Sequence, residues 1–483
     1  MNEWLATTLI FLPIAGAVAI WLTPMQRLWA GVIALLVSLA EIGFWIVALV
    51  RFDFGTAGTI QLEQQTSWFS DLNVSYHVGF FGFSLWLAGL TVVVMTAAIG
   101  YGFWAGRERP RAYFGLMLFL TGAVVGVFAC QDLLAFYVFW EAMLIPLYVL
   151  VGVWGGQRRV LATLKFVVYT MAGSLLMLAA IIAIGLKQGT FDLLEGSGSS
   201  STLIFLGFAA AFAVKAPLFP FHGWLPDAYR ESPPEVAAVL SGVISKTAAY
   251  GFLRIAIARF PEPVQDFRVP ILVLAAVGLV YGSLIAFRAP DVRGVIAYSS
   301  LAQMGLITLG LFATNLAGLN GAVLQMVNHG LLSATLFLLA GVIESRAGTG
   351  EFPQLGGMAR GRPALATVLM TTGVIALAVP GSTAFAGEFL ILVGVFAAGW
   401  IWAVIGAGAI VLAAMYMLRL ISGVLHRDPG PAVAAAGRDL RLAELAVLVP
   451  LVACLLALSA WPAAITEHSF GEGDFPALQD IFR

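Results

Sequence analysis

The feature that most constrains this chain is a series of long apolar segments that recurs along nearly its whole length. A helix needs about 20 apolar residues to cross a bilayer, since the hydrocarbon core is about 30 Å thick. Fourteen segments reach or approach that length: 4–22, 29–50, 79–104, 112–130, 132–153, 161–187, 202–229, 235–259, 269–288, 293–313, 318–344, 364–395, 397–421 and 441–463. Only 11% of the residues are charged, against about 25% in typical soluble domains. The sequence therefore predicts an all-α polytopic membrane protein with about 14 transmembrane helices.

Several functional classes lack their usual signature in this sequence. The 25 basic and 26 acidic residues nearly cancel, whereas a nucleic-acid-binding protein usually carries a basic excess. The two cysteines have no metal-ligand spacing, and no glycine-rich nucleotide-binding loop follows a strand pattern. The N-terminal Met1-Asn2-Glu3 lacks the basic region of a cleaved signal. We therefore expect no nucleic-acid partner and no cofactor or metal in this chain, and we interpret its start as a first membrane anchor.

The basic residues are distributed unequally between the two sets of loops. Loops after odd-numbered spans carry 16 Lys and Arg residues, the opposite loops and termini carry five, and four lie within spans. Cytoplasmic loops of membrane proteins are enriched in Lys and Arg. This bias predicts that the odd-numbered loops are cytoplasmic and that both termini lie on the opposite side of an energy-transducing membrane.

Two of the predicted spans are interrupted by proline. In the seventh, Pro217 and Pro220 follow Lys215, and in the twelfth, Pro380 and Gly381 break an apolar run. Proline removes a backbone donor and clashes with the preceding turn, and irregular backbone at membrane depth is tolerated only against protein or a watery cavity. Simple proline kinks are one interpretation. Two breaks, each near an ionisable residue, favour two repeats with an ion path at each break.

Among the ionisable residues inside predicted spans, where a charge costs at least about 2.5–3.5 kcal/mol, five are candidates for a proton path. Glu141, Lys215, Lys246 and His329 lie near the middle of their spans, and Glu388 follows the break in the twelfth. Lysine, histidine and glutamate can exchange protons in such surroundings, whereas arginine stays protonated.

Some of these residues, and two further lysines, also have a purely structural interpretation. Glu141 and Lys215 could form a fixed buried ion pair, and His329 could be a core histidine with satisfied hydrogen bonds. Lys165 lies only a few residues inside the sixth span, so its ammonium could reach the interface. Lys187 lies at a predicted helix end and is expected to be interfacial.

Six motifs occur together and in order between about residues 112 and 425. They are Phe139-Trp140-Glu141 with Pro146, the segment from Ala213 through Lys215, His222 and Trp224 to Ala228, Ser245-Lys246 to Arg254, Asp291 through Tyr298 to Ser300, Asn328-His329-Gly330, and Pro380 through Glu388 to Phe389. As a set they resemble the antiporter-like membrane subunits of respiratory complex I. Glu388 stands where most branches of that family have lysine, so the chain is most similar to the subunit M branch, called chain 4 in mitochondria.

The resemblance implies a domain organisation. An N-terminal three-helix segment would occupy 1–111, with an extra-membrane hairpin or loop at 51–78. Two inverted five-helix repeats with broken helices 7 and 12 would follow at 112–259 and 260–425, and a C-terminal helix and tail would occupy 426–483. The Gly/Ser-rich stretch 195–201 predicts a flexible loop.

The resemblance also implies roles for individual residues. Glu141 and Lys215 would form an input pair, Lys246 and His329 a central axis, and Glu388 the terminal group. The supporting residues would be Lys165, His222, Asp227 and Gln303. Several relatives have histidine at the position of Gln303, and glutamine cannot carry the proton, so we expect water to complete the axis between Lys246 and His329.

These similarities imply a proton-translocating membrane-arm subunit of NADH:quinone oxidoreductase, with no redox centre of its own. NADH, FMN, iron–sulfur clusters and quinone would belong to partner subunits. The neighbours in the membrane would be L-type and N-type antiporter-like subunits and small membrane subunits, in a bacterial cytoplasmic membrane.

Two alternatives remain at this point. A subunit of a cation/proton (Na⁺/H⁺) antiporter complex would share the fold, although Glu388 argues against it. A structural spacer that has lost conduction would have a dry interior around Lys215 and Lys246.

Overall fold

The computed structural model describes residues 3–195, 199–433 and 437–471, and most of them are helical. The helices are α1 (Trp4–Leu22), α2 (Arg27–Arg51), α3 (Gly82–Ala105), α4 (Pro110–Ala129), α5 (Leu133–Trp154), α6 (Arg159–Gln188), α7 (Thr202–Lys215), α8 (Leu225–Glu231), α9 (Pro234–Ile257), α10 (Pro261–Arg288), α11 (Val292–Leu311), α12 (Leu316–Ala347), α13 (Pro363–Ala376), α14 (Thr383–Ala398), α15 (Trp400–His426), α16 (Leu442–Ala460) and α17 (Ala463–Thr466). Within these ranges, twelve helices are long and apolar enough to span a membrane. The polytopic all-α class is therefore confirmed.

The two spans that the sequence predicts to be interrupted, the seventh and the twelfth, are broken. The seventh consists of α7, which ends at Lys215, and the short α8, and the twelfth consists of α13 and α14. Each break coincides with proline, which cannot continue the helical hydrogen-bond ladder. The total of fourteen crossings stays a prediction, because it counts each broken pair as a single span.

An antiparallel hairpin forms the extra-membrane segment between α2 and α3. Strand β1 (Gln61–Phe69) pairs with β2 (Val74–Phe80), and Asn73 between them has a φ of 50°. Asparagine tolerates this left-handed conformation better than most residues. The structure thus has a hairpin in this segment, whose second strand continues to Phe80, so that helix α3 begins only at Gly82.

One span begins earlier than its sequence suggests. Helix α10 starts at Pro261, eight residues before the predicted start, with Glu262 in its first turn. Proline fits the first helical position and an acidic side chain favours the helix N-terminus. Arg268 therefore lies inside a helix and not in a loop, and its guanidinium donates to the carbonyl oxygens of Phe312 and Ala313.

The loops after odd-numbered spans lie together at one end of the bundle, which we call the arginine face. There the Gly156 amide donates to the Glu231 carbonyl at 2.7 Å, and Arg230 pairs with Asp291 at 2.8 Å. The opposite end, the hairpin face, contains β1, β2 and the loop after α6. Which of these faces meets the cytoplasm stays a prediction.

Helix α12 lies at the centre of the bundle and packs against α3, α9 and α14. Both α9 and α12 are buried along their apolar lengths. This packing brings together α9, α12 and α14, which carry Lys246, His329 and Glu388. The predicted boundaries of the two repeats, and their inverted relationship, stay predictions. Parts of the predicted loop at 195–201 (residues 196–198) and of the C-terminal tail (434–436 and 472–483) lie outside the described residues.

Candidate functional site

Lys246 and His329 are in direct contact in the interior. Lys246 lies in α9 between two π-helical turns, Leu240–Ile244 and Phe252–Ile257. Its Nζ lies 2.6 Å from His329 Nδ1 and donates to the Ser241 carbonyl oxygen at 2.6 Å. Because an ammonium group has no acceptor, His329 Nδ1 accepts while the lysine is charged. The expectation that water separates the two residues is therefore wrong, because the amine contacts the imidazole directly. The π turns on either side of Lys246 are a feature that often marks functional sites.

Hydroxyl groups surround the amine of Lys246 on the side toward the start of α9. Ser245 Oγ lies 3.3 Å from Nζ, and the hydroxyls of Ser241 and Ser300 are 2.8 Å apart. The Tyr229 hydroxyl donates to the Leu240 carbonyl at 3.2 Å. Hydroxyls can both donate and accept, so this side of the lysine is polar although it is buried.

Glu388 lies beyond His329, in the second turn of α14, and is buried. Gln303 Nε2 donates to Glu388 Oε1 at 3.0 Å, and Gln325 Nε2 donates to Gln303 Oε1 at 2.9 Å. His329 and Glu388 both line a cavity of about 30 Å³. A polar cavity of that size holds about one or two water molecules. Gln303 thus bonds Glu388 and Gln325, and no hydrogen bond among the described residues joins it to Lys246 or His329.

Lys215 ends α7 at the first break and is only 3% exposed. Its Nζ lies 3.9 Å from the ring centroid of Trp140, a cation–π contact. The neighbouring Glu141 is half-buried on α5, and its charge acts on Lys215. No ion pair within 4.0 Å joins Glu141 to Lys215 among the ion pairs of the described chain. The predicted input pair is therefore adjacent but not in contact.

The remaining supporting residues lie near the first break. Lys165 Nζ pairs with Asp227 Oδ2 at 2.7 Å, and both side chains are partly exposed. The ring of His222 contacts those of Phe219 and Tyr281, with centroids 5.5 and 5.1 Å away. Lys165 thus has a specific partner and does more than reach toward the interface. No hydrogen bond among the described residues joins this group to Lys246.

Sequence reasoning missed a buried carboxylate at the arginine face. Glu235 is fully buried at the start of α9 and accepts from Arg107 Nε and Nη2 at 2.6 and 2.7 Å. The Tyr113 hydroxyl also donates to it, at 2.5 Å. The sequence feature that could have identified Glu235 is its position directly after Pro233-Pro234, at the start of a predicted span. This group is saturated with donors, which suits a structural clamp.

A second buried carboxylate lies apart from the others. Glu41 of α2 is fully buried, and its two carboxylate oxygens have no hydrogen-bond partner in the described part of the chain. The same part holds no group of three or more His, Cys, Asp or Glu residues that could bind a metal ion.

Comparisons with known proteins show the family and the fold of the chain. The family described as "NADH:quinone oxidoreductase/Mrp antiporter, TM" matches residues 130–413. "NADH-quinone oxidoreductase subunit M" of Rhodobacter capsulatus is 34% identical, covering 96% of this chain and 94% of that protein. "NADH-ubiquinone oxidoreductase chain 4" of Marchantia polymorpha is also 34% identical, covering 95% and 94%.

Two solved structures share the fold. A chain of respiratory complex I from Thermus thermophilus superposes with a TM-score of 0.88 at 29% identity, covering 99% of this chain and 98% of that one. A chain of the Mrp complex from Dietzia sp. gives 0.87 at 22% identity, covering 100% and 97%, which shows a common fold. The chain therefore belongs to the NADH:quinone oxidoreductase/Mrp antiporter membrane-subunit family, and matches its subunit M members over nearly their whole length.

Proposed function

We propose that this chain is a proton-translocating membrane-arm subunit of NADH:quinone oxidoreductase. The observation that carries the proposal is the buried polar row formed by Lys246, His329 and Glu388. The amine and imidazole are 2.6 Å apart, and His329 and Glu388 line the same small cavity. Ionisable residues at membrane depth are costly and usually mark an ion pathway.

The geometry supports a stepwise transfer. A proton on Lys246 Nζ moves to His329 Nδ1, which leaves a neutral amine and an imidazolium. The imidazolium then releases a proton through water in the cavity to the Glu388 carboxylate. Gln303 cannot carry the proton but holds Oε1 of Glu388 in place by its hydrogen bond. Lysine suits the first position because a buried lysine can lose its proton, whereas arginine stays protonated.

Glu141 and Lys215 would control this transfer. The Lys215 ammonium rests on the Trp140 ring, and Glu141 is close enough to act on it by charge alone. A change in charge next to the half-buried Glu141 would therefore change how strongly Lys215 holds its proton. Lys165, Asp227 and His222 would support the break that positions Lys215.

The partner subunits would supply the driving reaction. NADH, FMN, the iron–sulfur clusters and quinone would bind there, and quinone reduction would reach this chain as a shift of charge along the membrane arm. L-type and N-type antiporter-like subunits would flank it. We also propose that the arginine face is cytoplasmic, and that 112–259 and 260–425 form two repeats between the segments 1–111 and 426–483.

A cation/proton antiporter subunit is the second candidate, because the family and the fold include Mrp antiporter chains. Purification from native membranes distinguishes the two functions. Flavin and iron–sulfur subunits that co-purify with the chain support the first, and cation-dependent antiport by a complex lacking them supports the second.

The replacement Glu388→Gln tests the proposed pathway. Glutamine keeps the size of the side chain but cannot accept the proton, so NADH-driven proton pumping in membrane vesicles should fall by about tenfold or more. Glu41→Gln is the matched control, since it changes an equally buried carboxyl group outside the row and should leave pumping unchanged. Assembled Glu388→Gln complex that pumps normally would refute the role of Glu388.

A further inference from the structure

A buried histidine on the hairpin face contacts two carboxylates with its two ring nitrogens. His77 of β2 lies 2.5 Å from Asp192 Oδ2 through Nδ1, and 2.6 Å from Glu63 Oε1 through Nε2. His77 and Asp192 are buried, whereas Glu63 of β1 is exposed to solution. None of these residues belongs to the row around Lys246.

The geometry fixes the charge of this histidine. An ionised carboxylate can only accept hydrogen bonds, and neutral imidazole has a single donor. Two carboxylates can both be satisfied only by imidazolium, whose two nitrogens donate. Burial lowers the pKa of His77, but the hydrogen bonds and charges of Asp192 and Glu63 outweigh it and hold that pKa above its ordinary value of 6.5.

The surrounding charged groups come from several elements. Asp132 at the start of α5 accepts from the Ser75 amide and is saturated by the amides of Leu134 and Ala135. The other titratable or charged groups near the site are Cys130 before α5, Tyr76 of β2, Arg254 at the end of α9, and Arg259 after it. Arg254 donates to the side-chain oxygen of Gln131, and Arg259 donates to the Leu193 carbonyl oxygen.

Asp192 connects the histidine to the helix bundle. It accepts from the amides of Leu194 and Glu195, and the Leu193 amide donates to the Gln131 carbonyl at 2.7 Å. The Gln131 amide in turn donates to the His77 carbonyl at 2.8 Å. Asp192 follows α6 in the chain and Gln131 directly precedes α5, so these bonds connect β2 to the ends of the two helices that carry Glu141 and Lys165.

We propose that His77 is a proton-binding site whose imidazolium, held between Glu63 and Asp192, fastens β1 of the hairpin to the ends of α5 and α6. Loss of the proton leaves one donor for two carboxylates. Glu63 separates first, because it is the exposed partner. The site goes beyond the proposed pumping function and does not depend on it.

The sign of the pH dependence follows from linkage. A histidine whose pKa is raised in the folded state contributes stability that is complete below the pKa of the free side chain and is lost as pH rises through the folded value. Between these two values, protection of the β1 amides from hydrogen exchange should fall by up to about tenfold per pH unit.

Hydrogen–deuterium exchange of β1 in the intact purified complex tests this proposal, with protection corrected for intrinsic exchange from about pH 6 to about pH 9. The wild-type chain should lose β1 protection as pH rises, and His77→Gln should remove the transition. Glu63→Gln, which leaves the Asp192 contact, should move the transition to lower pH. The control His468→Gln changes a histidine on the same face that bonds backbone carbonyls and should leave the transition in place.

Two results would overturn the proposal: no pH-dependent transition in the wild type, or a transition that survives in His77→Gln. If His77→Gln does not assemble, Glu63→Gln decides, because an unchanged transition in that variant contradicts the site. Normal or impaired pumping in these variants has no bearing on the outcome, so failure here is separable from failure of the proposed function.

Discussion

At the scale of single residues, lysine and arginine have different positions in this chain. Only four of its 25 basic residues are lysine, and Lys215 and Lys246 are buried beside an aromatic ring and an imidazole. Arginines instead form bidentate pairs at the arginine face, such as Arg293 with Glu344 and Arg346 with Glu444. Arginine cannot release its proton, so it suits fixed ion pairs. Lysine suits a site where the side chain must lose its proton.

The Arg107–Glu235 pair provides a stability prediction at this scale. Removing one partner of a buried ion pair costs about 3–5 kcal/mol, so Glu235→Ala should markedly lower the thermal stability of this subunit in the purified complex. Asp227→Ala breaks a partly exposed pair with Lys165 and should cost less than about 1 kcal/mol. Equal shifts of the unfolding temperature in the two variants would contradict this assignment.

The five proposed translocation residues could be identified from sequence, because a charge inside an apolar run is visible at once. Their contacts could not. The contact of Lys215 with the Trp140 ring and the hydrogen bond of Gln303 to Glu388 depend on how each helix is rotated about its axis. No sequence feature indicates that Glu63 and Asp192, 129 positions apart, both contact His77.

At the scale of elements, the two breaks are the best-predicted features, since proline has a direct backbone effect. The π turns on either side of Lys246 have no comparable signature: Leu240–Ile244 and Phe252–Ile257 are mostly apolar segments without proline. The early start of α10 could not be predicted from apolar length, because its first turns are polar. Local sequence thus predicts where a helix must end more reliably than where it begins or where it forms a π turn.

The second break gives a prediction about backbone conformation. Gly381 has a φ of 94°, and a Cβ added there would meet no atom within 4 Å, so any effect of alanine comes from the backbone alone. Gly381→Ala should destabilise the subunit by about 1–2 kcal/mol. Gly408→Ala in α15 is the control, since its surroundings are equally open but its backbone is helical, and alanine there should be neutral or stabilising by up to about 1 kcal/mol. Thermal unfolding of both variants measures the difference, and equal destabilisation would argue against a strained break.

At the scale of the whole molecule, the proposed pathway links distant parts of the sequence. Lys246 lies in the first predicted repeat, and His329 and Glu388 lie in the second, so the contact at 2.6 Å joins the two. Sequence could predict a membrane bundle whose two ends differ in basic charge, because apolar length and loop charge can be counted residue by residue. It could not predict that α12 lies at the centre of the bundle, since that depends on how all the helices pack.

The central claim is that Lys246 must release its proton during translocation, and Lys246→Arg tests it most directly. Arginine keeps the positive charge but stays protonated, so NADH-driven proton pumping by vesicles containing the assembled complex should fall by about tenfold or more. Lys187→Arg, at the exposed end of α6, should pump like the wild type. Normal pumping by the assembled Lys246→Arg complex would contradict the account.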